Sequence, residues 1–491
     1  MLEAVAGHHF SMVKYGFVVN TVQSSTSPKK FSLSYDLADN AINETILNTV
    51  IGTLVKYNST GRIEPYLVES FHVSNDGLTW SFKFRPNLKC QDGTPINAIN
   101  YRINLLNIFR KLLSSTKIME FHQLDGWSEF EKTKSEISGL FVKNDELVFK
   151  FLKKPTDFLE ILRMPYFGFW KNVDFNSQKP SDFISSGAFR ILEISDYSSI
   201  RIAHREDWIT QNSNAFNNFT FEYVETSQIA NTKYDFYELP STYSDSLMPN
   251  NYRKVSAVPT SVGTFVLTPV VGGIFEDKMI RSVFSAYLIE NLKKYDGLKY
   301  NYFYPSANSY IEVPTKDQIE LQFNEVKRKV SGRTIKLAFN TNSYSEKAYK
   351  EITSAIAETA KTFNLEVAVQ MEEPTETWYK RLISNNEFDI RVAVVTNGAY
   401  PKNSIIKMMF CSKLGISFPD PSGKICELVE NYNYGDDIAE YIRKFNQILF
   451  DDAVVIPIKH FGMKWFISER IDLASFPPTN VSPLFEKILA Q

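Results

Sequence analysis

Apolar and polar positions alternate with two different periods along this chain. In TWSFKFR (79–85), Trp80, Phe82 and Phe84 fall on one side and Lys83 on the other, the two-residue period of a half-buried strand. ELVFKFL (146–152) does the same with Leu147, Phe149 and Phe151, so the first half predicts antiparallel meander strands. The second half reads differently. TIKLAF (334–339) predicts a strand, and SEKAYKEITSAIAETAKTF (345–363) a helix with the stripe Tyr349, Ile352, Ile356 and Phe363 and with Asn364 placed to end it. LEVAVQ (365–370) is the next strand, and strand, helix, strand at this spacing implies a parallel pair. ETWYKRLIS (376–384) predicts a further helix and FDIRVAVV (388–395) a further strand. DDIAEYIRKFNQILF (436–450) opens on a capping pair, Asp437 and Glu440, and continues with Ile438, Tyr441, Phe445, Ile448 and Leu449. The loop VVTNGAYPKN (394–403) therefore sits at the C-terminal end of a strand in an open α/β sheet, a place that ligands favour.

A length of 491 residues predicts two or three domains. With 43% hydrophobic and 22% charged residues the composition is that of a globular protein. The 54 basic and 56 acidic residues leave a net charge of −2, which offers no electrostatic footprint for nucleic acid or an anionic membrane. No apolar run approaches the ~20 residues of a membrane span. The N-terminal stretch MLEAVAGHHFSMVKYGFVVNTVQSS reads as a poor secretory signal because Lys14 interrupts its apolar run, and no Cys near it offers a lipid-anchor site.

Catalytic patterns are missing from the sequence. The six histidines (8, 9, 72, 122, 204 and 460) form no HExxH and no zinc-spaced cluster with cysteine, and there is no GxSxG elbow, Walker loop or dinucleotide glycine fingerprint. Neither a cofactor nor a metal is expected. Cys411 and Cys426 flank SKLGISFPDPSGKI, and spacing alone leaves a disulfide and two free thiols equally open. Cys90 is expected as a small buried hydrophobe.

One stretch carries a resemblance: GRIEPYLVESFHVSNDGLTWSFKFRPNLKCQDGTPINAINY (61–101). Its Pro65, Leu67 to Phe71, Asp76-Gly77, Arg85, Asp92-Gly93-Thr94-Pro95 and Ala98 resemble the signature of the family-5 extracellular solute-binding proteins, the dipeptide- and oligopeptide-binding components of bacterial ABC importers. SSGAFRILEI with REDW (185–208), FEDKMIRSVFSAYLIENL (275–292) and FNQILFDDAVVIPI (445–458) resemble later motifs of the family, in order. The resemblance implies a two-lobed periplasmic-binding-protein fold, α/β, type II and cluster C-like, with an extra antiparallel subdomain in the first lobe and two hinge crossings. Lobe I is then 1–60, its subdomain 61–184, a second segment 185–267 and a C-terminal return 466–491, with lobe II at 268–465. VGTFVLTP and VVIPIKHFGMKWF are the expected hinge strands, and a ligand is expected between the lobes.

The resemblance also implies a site. The family's strand ends in Gly-Trp-x-x-Asp-x-x-x-Pro, whose Asp grips the ligand's α-ammonium. Aligned on Pro401, the Asp position is Asn397 and the Trp position Val394. An amide accepts a hydrogen bond from an ammonium but does not neutralise it. Three explanations stand open: the amine is paired by another carboxylate such as Asp36, Asp39 or Glu44; the ligand is neutral or N-blocked; or the cleft serves another purpose. Asn397 is also read as a turn residue before Gly398. Thr396, Gly398 and Tyr400 are further candidate contacts. Arg391 matches an Arg of oligopeptide binders and is read as a ligand cation or as the buried partner of a carboxylate. Asp36, Asn40 and Asn43 are placed in the loop before a first helix, ILNTVIGTLV, and Trp127 in a pocket-facing stretch, DGWSEF, or in the core. Cys411 and Cys426 fall where some peptide binders carry a disulfide.

The expected function is capture of a peptide or peptide-like solute by a monomeric periplasmic or cell-surface protein that delivers it to an ABC permease in the inner membrane, without catalysis and without nucleic acid. A ligand sensor or scaffold on the same fold is the alternative, and a hydrolase the more distant rival.

Overall fold

Sheets and helices form where the two periods change over. The structure is a computed structural model and describes residues 12–19, 31, 33, 41–58, 62–113, 116–172, 182–195, 198–209, 215–240, 244–256, 261–269, 272–295, 316–340, 346–372, 387–396, 402–411, 418–432, 437–476, 485 and 488–489. It divides into two compact units, one formed by Met1–Val258 with Gly462–Gln491 and the other by Pro259–Phe461.

The first unit begins with β1 (Val13–Val19), α1 (Ala41–Val50), the short pair β2 (Val55–Tyr57) and β3 (Ile63–Pro65), then β4 (Val68–Val73), β5 (Thr79–Phe84) and α2 (Ala98–Leu112). It continues through α3 (Trp127–Thr133), β6 (Leu140–Lys143), β7 (Glu146–Lys150), α4 (Phe158–Leu162), β8 (Phe189–Ser195), β9 (Ser199–His204), β10 (Asn218–Glu225), β11 (Phe236–Pro240) and β12 (Arg253–Ser256). β4, β5, β7 and β6 pair antiparallel in that order. The expected face of β5 and β7 is buried: Trp80, Phe82, Leu147 and Phe149 are fully enclosed, and Phe158 of α4 meets Phe82, Phe149 and Phe151 edge-on. Buried Arg205 ties two of the stretches that carry the resemblance. Its guanidinium donates to the carbonyls of Lys89 (2.8 Å) and Gly187 (3.1 Å) and pairs with Asp207 (3.0 Å). Cys90 is fully buried, and burial pushes its thiol up to about 12.

The second unit runs β13 (Ser261–Leu267), α5 (Lys278–Leu292), α6 (Lys316–Val330), β14 (Thr334–Asn340), α7 (Glu346–Thr362), β15 (Glu366–Glu372) and β16 (Ile390–Thr396). Then come α8 (Lys402–Ile406), a π-helical turn Lys407–Cys411, α9 (Lys424–Asn431), α10 (Ile438–Asp452) and β17 (Val455–Phe461). Its sheet has the order β15-β14-β16-β13-β17, with β14 parallel to both β15 and β16 and with β13 antiparallel to β16 and β17. One face, with Phe265, Leu267, Ile390, Val392, Ile456 and Ile458, packs on α5, α6 and α7. The other, with Val266 and Val455, packs on α8, α9 and α10. Both faces being covered is what a parallel sheet requires.

Asn364 ends α7 with a φ of 57°, the left-handed stop expected of it. Asp437 caps α10, its carboxylate accepting from the N–H groups of Ala439 and Glu440. The expected pair is incomplete, because the Glu440 carboxylate turns to Arg443 (2.7 Å), which holds it down at about 2. Ile438 is exposed at the first turn rather than part of the apolar stripe. The helix expected at 376–384 lies outside the described residues.

The stretch VVIPIKHFGMKWF separates into β17 and β18 (Met463–Ile467), which belong to different sheets. β18 returns to the first unit, in a seven-stranded sheet of order β12-β18-β11-β1-β10-β9-β8. At its centre Glu238 is buried, accepting from the Tyr15 hydroxyl and from Trp465 Nε1 (3.2 Å). Burial pushes its carboxyl up to about 7, although both donors favour the charged form. Cys411 and Cys426 form a disulfide that joins the π-helical turn to α9.

Between the ordinary carboxyl value of 4.5 and about 7, the folded protein holds the Glu238 proton and the unfolded chain does not. Stability should therefore fall as pH rises through this window, by up to ~3 kcal/mol. Chemical denaturation at pH 5 and pH 8 should show that slope flattened in Glu238→Gln, and an equal slope in both proteins would remove Glu238 as its source. Reducing Cys411–Cys426, which closes a loop of sequence separation 15, should lower stability by about 3 kcal/mol. Urea titration with and without reductant measures it, and coincident midpoints would mean that the cross-link constrains nothing.

Candidate functional site

The carboxyl end of β16 is the place to which the sequence points. β16 is central in its sheet, hydrogen-bonded to β14 on one side and β13 on the other. Its last residue, Thr396, pairs with Ser261 of β13, and Ser261 pairs with Phe461 of β17, so three strand ends share one row at this edge. β14 and β15 run parallel to β16 and point the same way. Carboxyl ends of parallel strands therefore gather here, the usual ligand-binding edge of an open α/β sheet.

Beyond Thr396 the chain resumes at α8, which is anchored from both sides. Buried Asn403 accepts a hydrogen bond from the Tyr441 hydroxyl of α10, and Ile405 and Ile406 sit in the apolar layer between sheet and helices. The π-helical turn and the disulfide then fix the chain to α9. Asn397, Gly398 and Tyr400 lie outside the described residues, as do Asp36 and Asn40.

Arg391 shares β16 with Thr396 but not its end. They stand five positions apart, roughly 17 Å of extended strand at ~3.4 Å per residue. Arg391 pairs with Val266 and Ala338, lies between Ile390 and Val392, and so by alternation faces α8–α10. It is 8% exposed, and burial pushes its guanidinium down to about 10, which leaves it charged at neutral pH.

In the first unit Asn43 is buried and stands in the first turn of α1. The expectation that it precedes the first helix is corrected: the helix starts at Ala41, and the buried polar run Asn43, Glu44 and Thr45 hides its start from an apolar reading. Next to it is a charged cluster that the sequence did not disclose. Arg163, 6% exposed, donates to Glu160 (2.8 Å) and lies over the Tyr57 ring (4.3 Å), whose hydroxyl donates to Glu160 (2.6 Å). Burial works against the Arg163 charge, but Tyr57, Glu160 and Glu44 outweigh it and leave its pKa raised. Glu44, the nearest carboxylate to Asn43 in sequence, thus already faces a buried cation. Trp127 is 2% exposed and packs among Phe109, His122 and Phe130 in the interior of the subdomain. Among the described residues no group of three or more His, Cys, Asp or Glu is placed to hold a metal ion, and no helix is long and apolar enough to cross a membrane.

Known proteins give this geometry a context. The Bacillus subtilis oligopeptide-binding protein OppA is 21% identical over 197 residues, 38% of this chain and 36% of that protein, so the match spans about a third of the relative. The Escherichia coli murein tripeptide binding protein MppA has the same fold, with a TM-score of 0.71 at 17% identity over 98% of this chain and 99% of that one. NikA from Brucella suis, solved in complex with Fe(III)-EDTA, reaches 0.70 at 16% identity over 98% and 100%. Residues 62–415 match the pattern described as bacterial extracellular solute-binding proteins, family 5 Middle, and the chain therefore belongs to that family.

Proposed function

We propose that this protein is the solute-binding component of an ABC importer, working in the periplasm or at the cell surface as a monomer that hands a peptide-like solute to a membrane permease without catalysis. The observation that carries this reading is the position of TNGAYP at the carboxyl end of β16, in a chain of the solute-binding family. The murein tripeptide binder and the oligopeptide binder favour a peptide-like cargo. NikA holds a metal chelate on the same fold, so the fold by itself does not choose the cargo and the loop has to.

In this reading Asn397 contacts the solute, and Thr396, Gly398, Tyr400, Asp36 and Asn40 are its further candidate contacts. Asn43 and Trp127 hold their elements in place, and Arg391 is the charged support of the strand. The Asn side chain brings no negative charge to the position that would meet an ammonium. Glu44 lies within the electrostatic reach of buried Arg163, whose ion pair is with Glu160. We therefore favour a solute whose amine is blocked or absent, such as a cyclic or N-modified peptide or a cell-wall fragment.

Native mass spectrometry of gently purified protein should show a single discrete added mass without a free α-amine. A ladder of masses fitting ordinary short peptides would overturn the blocked-amine reading, and no added mass would weigh against the carrier role. In a second test, Asn397→Asp should tighten binding of a free-amine tripeptide by about a hundredfold, taking ~3 kcal/mol for a buried charge pair. Its N-acetylated form should gain nothing. Calorimetry that finds the two affinities unchanged would remove Asn397 as a determinant of specificity.

A further inference from the structure

A cavity of about 200 Å³ opens between α5 and the end of α10, at the start of β17. It lies within the second unit and at the opposite edge of the sheet from Thr396, because β17 runs parallel to β16 and contributes its first residues here and its last ones there. Its walls are apolar, with Ile289 from α5, Leu449 from α10, and Val455 and Ile456 from β17. A space of this size is large enough for a phenyl ring and its short side chain.

The polar groups on its lining are all oxygens. Ser282 and Ser285 stand one turn apart on α5, and Asp451 is exposed on the last turn of α10. Ser285 is 6% exposed, and its buried Oγ has no hydrogen-bond partner among the described residues. A buried helical serine normally donates back to its own helix, and a buried hydroxyl left without a partner is a standing cost. Among the described residues no lysine, arginine or histidine lines the cavity. The nearby Arg281 is committed elsewhere, to the carbonyls of Phe275, Glu276 and Asp452. Hydroxyls and a carboxylate above an apolar chamber, with no opposing cation on the lining, match a ligand that brings donors and positive charge.

We propose that this cavity is a second binding site, distinct from the β16 loop, for a small organic amine. Its apolar body fills the chamber, and its ammonium is held by Asp451 and the serine hydroxyls, with Ser285 Oγ gaining the partner it lacks. The site is independent of whichever solute the TNGAYP loop takes.

The test uses the full-length protein with labelled Ile, Leu and Val methyl groups, and two probes that differ only in their head: phenethylamine and 2-phenylethanol. Phenethylamine should shift the methyl signals of Ile289, Leu449, Val455 and Ile456 saturably, binding about fivefold tighter than the alcohol. Asp451→Asn, a surface change that leaves the core intact, should bring the two probes level. Ala286→Phe, which fills the chamber, should abolish the shifts for both. Absence of saturable shifts with either probe at tens of millimolar (~50 mM, a weak-binding limit) would overturn the site. Equal affinity for the two probes in the unsubstituted protein would overturn the amine assignment, and shifts confined to residues at the other edge of the sheet would overturn the location.

Discussion

The second unit depends on one strand insertion. β13 enters antiparallel between β16 and β17, where a parallel sheet would otherwise have a gap, and its backbone satisfies both neighbours along their length. Phe265 and Leu267 face one helical layer and Val266 the other, all fully buried, so β13 is also the point at which the two apolar layers share a strand. A one-residue slip of β13 would exchange those faces and set Phe265 or Leu267, in place of Val266, opposite Arg391. Ser261 would lose its place opposite Thr396 in the same movement. The position of the candidate site is therefore a consequence of this register, which a shift between Gly263 and Thr264 on the β17 side accommodates.

Much of this was legible because the period of burial is local. Trp80, Phe82 and Phe84 declare a strand by themselves, and Asn364 stops α7 through its own backbone conformation. The family resemblance likewise rests on short runs, and the long-range order of the motifs does the rest. The partners that charged side chains choose did not announce themselves. Glu440 looks like half of a capping box, but Arg443, one turn on, competes successfully for its carboxylate. Tyr57, Glu160, Arg163 and Glu44 form one electrostatic unit from three separate segments, and none of the four carries a signal of the others.

The site divides in the same way. Its address, the end of a buried parallel strand, followed from the alternation of apolar runs. Its burial did not. Trp127 and Asn43 are each enclosed because of neighbours that only the fold supplies: an aromatic cluster for the first, and the packing of α1 for the second. Arg391 shows the limit best. The sequence left it as a ligand cation or the buried partner of a carboxylate; the fold buries it in β16, paired with Val266 and five positions before Thr396.

On either side of residues 397–401 the described chain is held by devices of its own. β16 is clamped by two neighbouring strands, and α8 by the Asn403–Tyr441 hydrogen bond and by the Cys411–Cys426 cross-link that follows. The two ends of that segment are thus positioned by bonds made elsewhere in the second unit, one in the sheet and one in a helical layer.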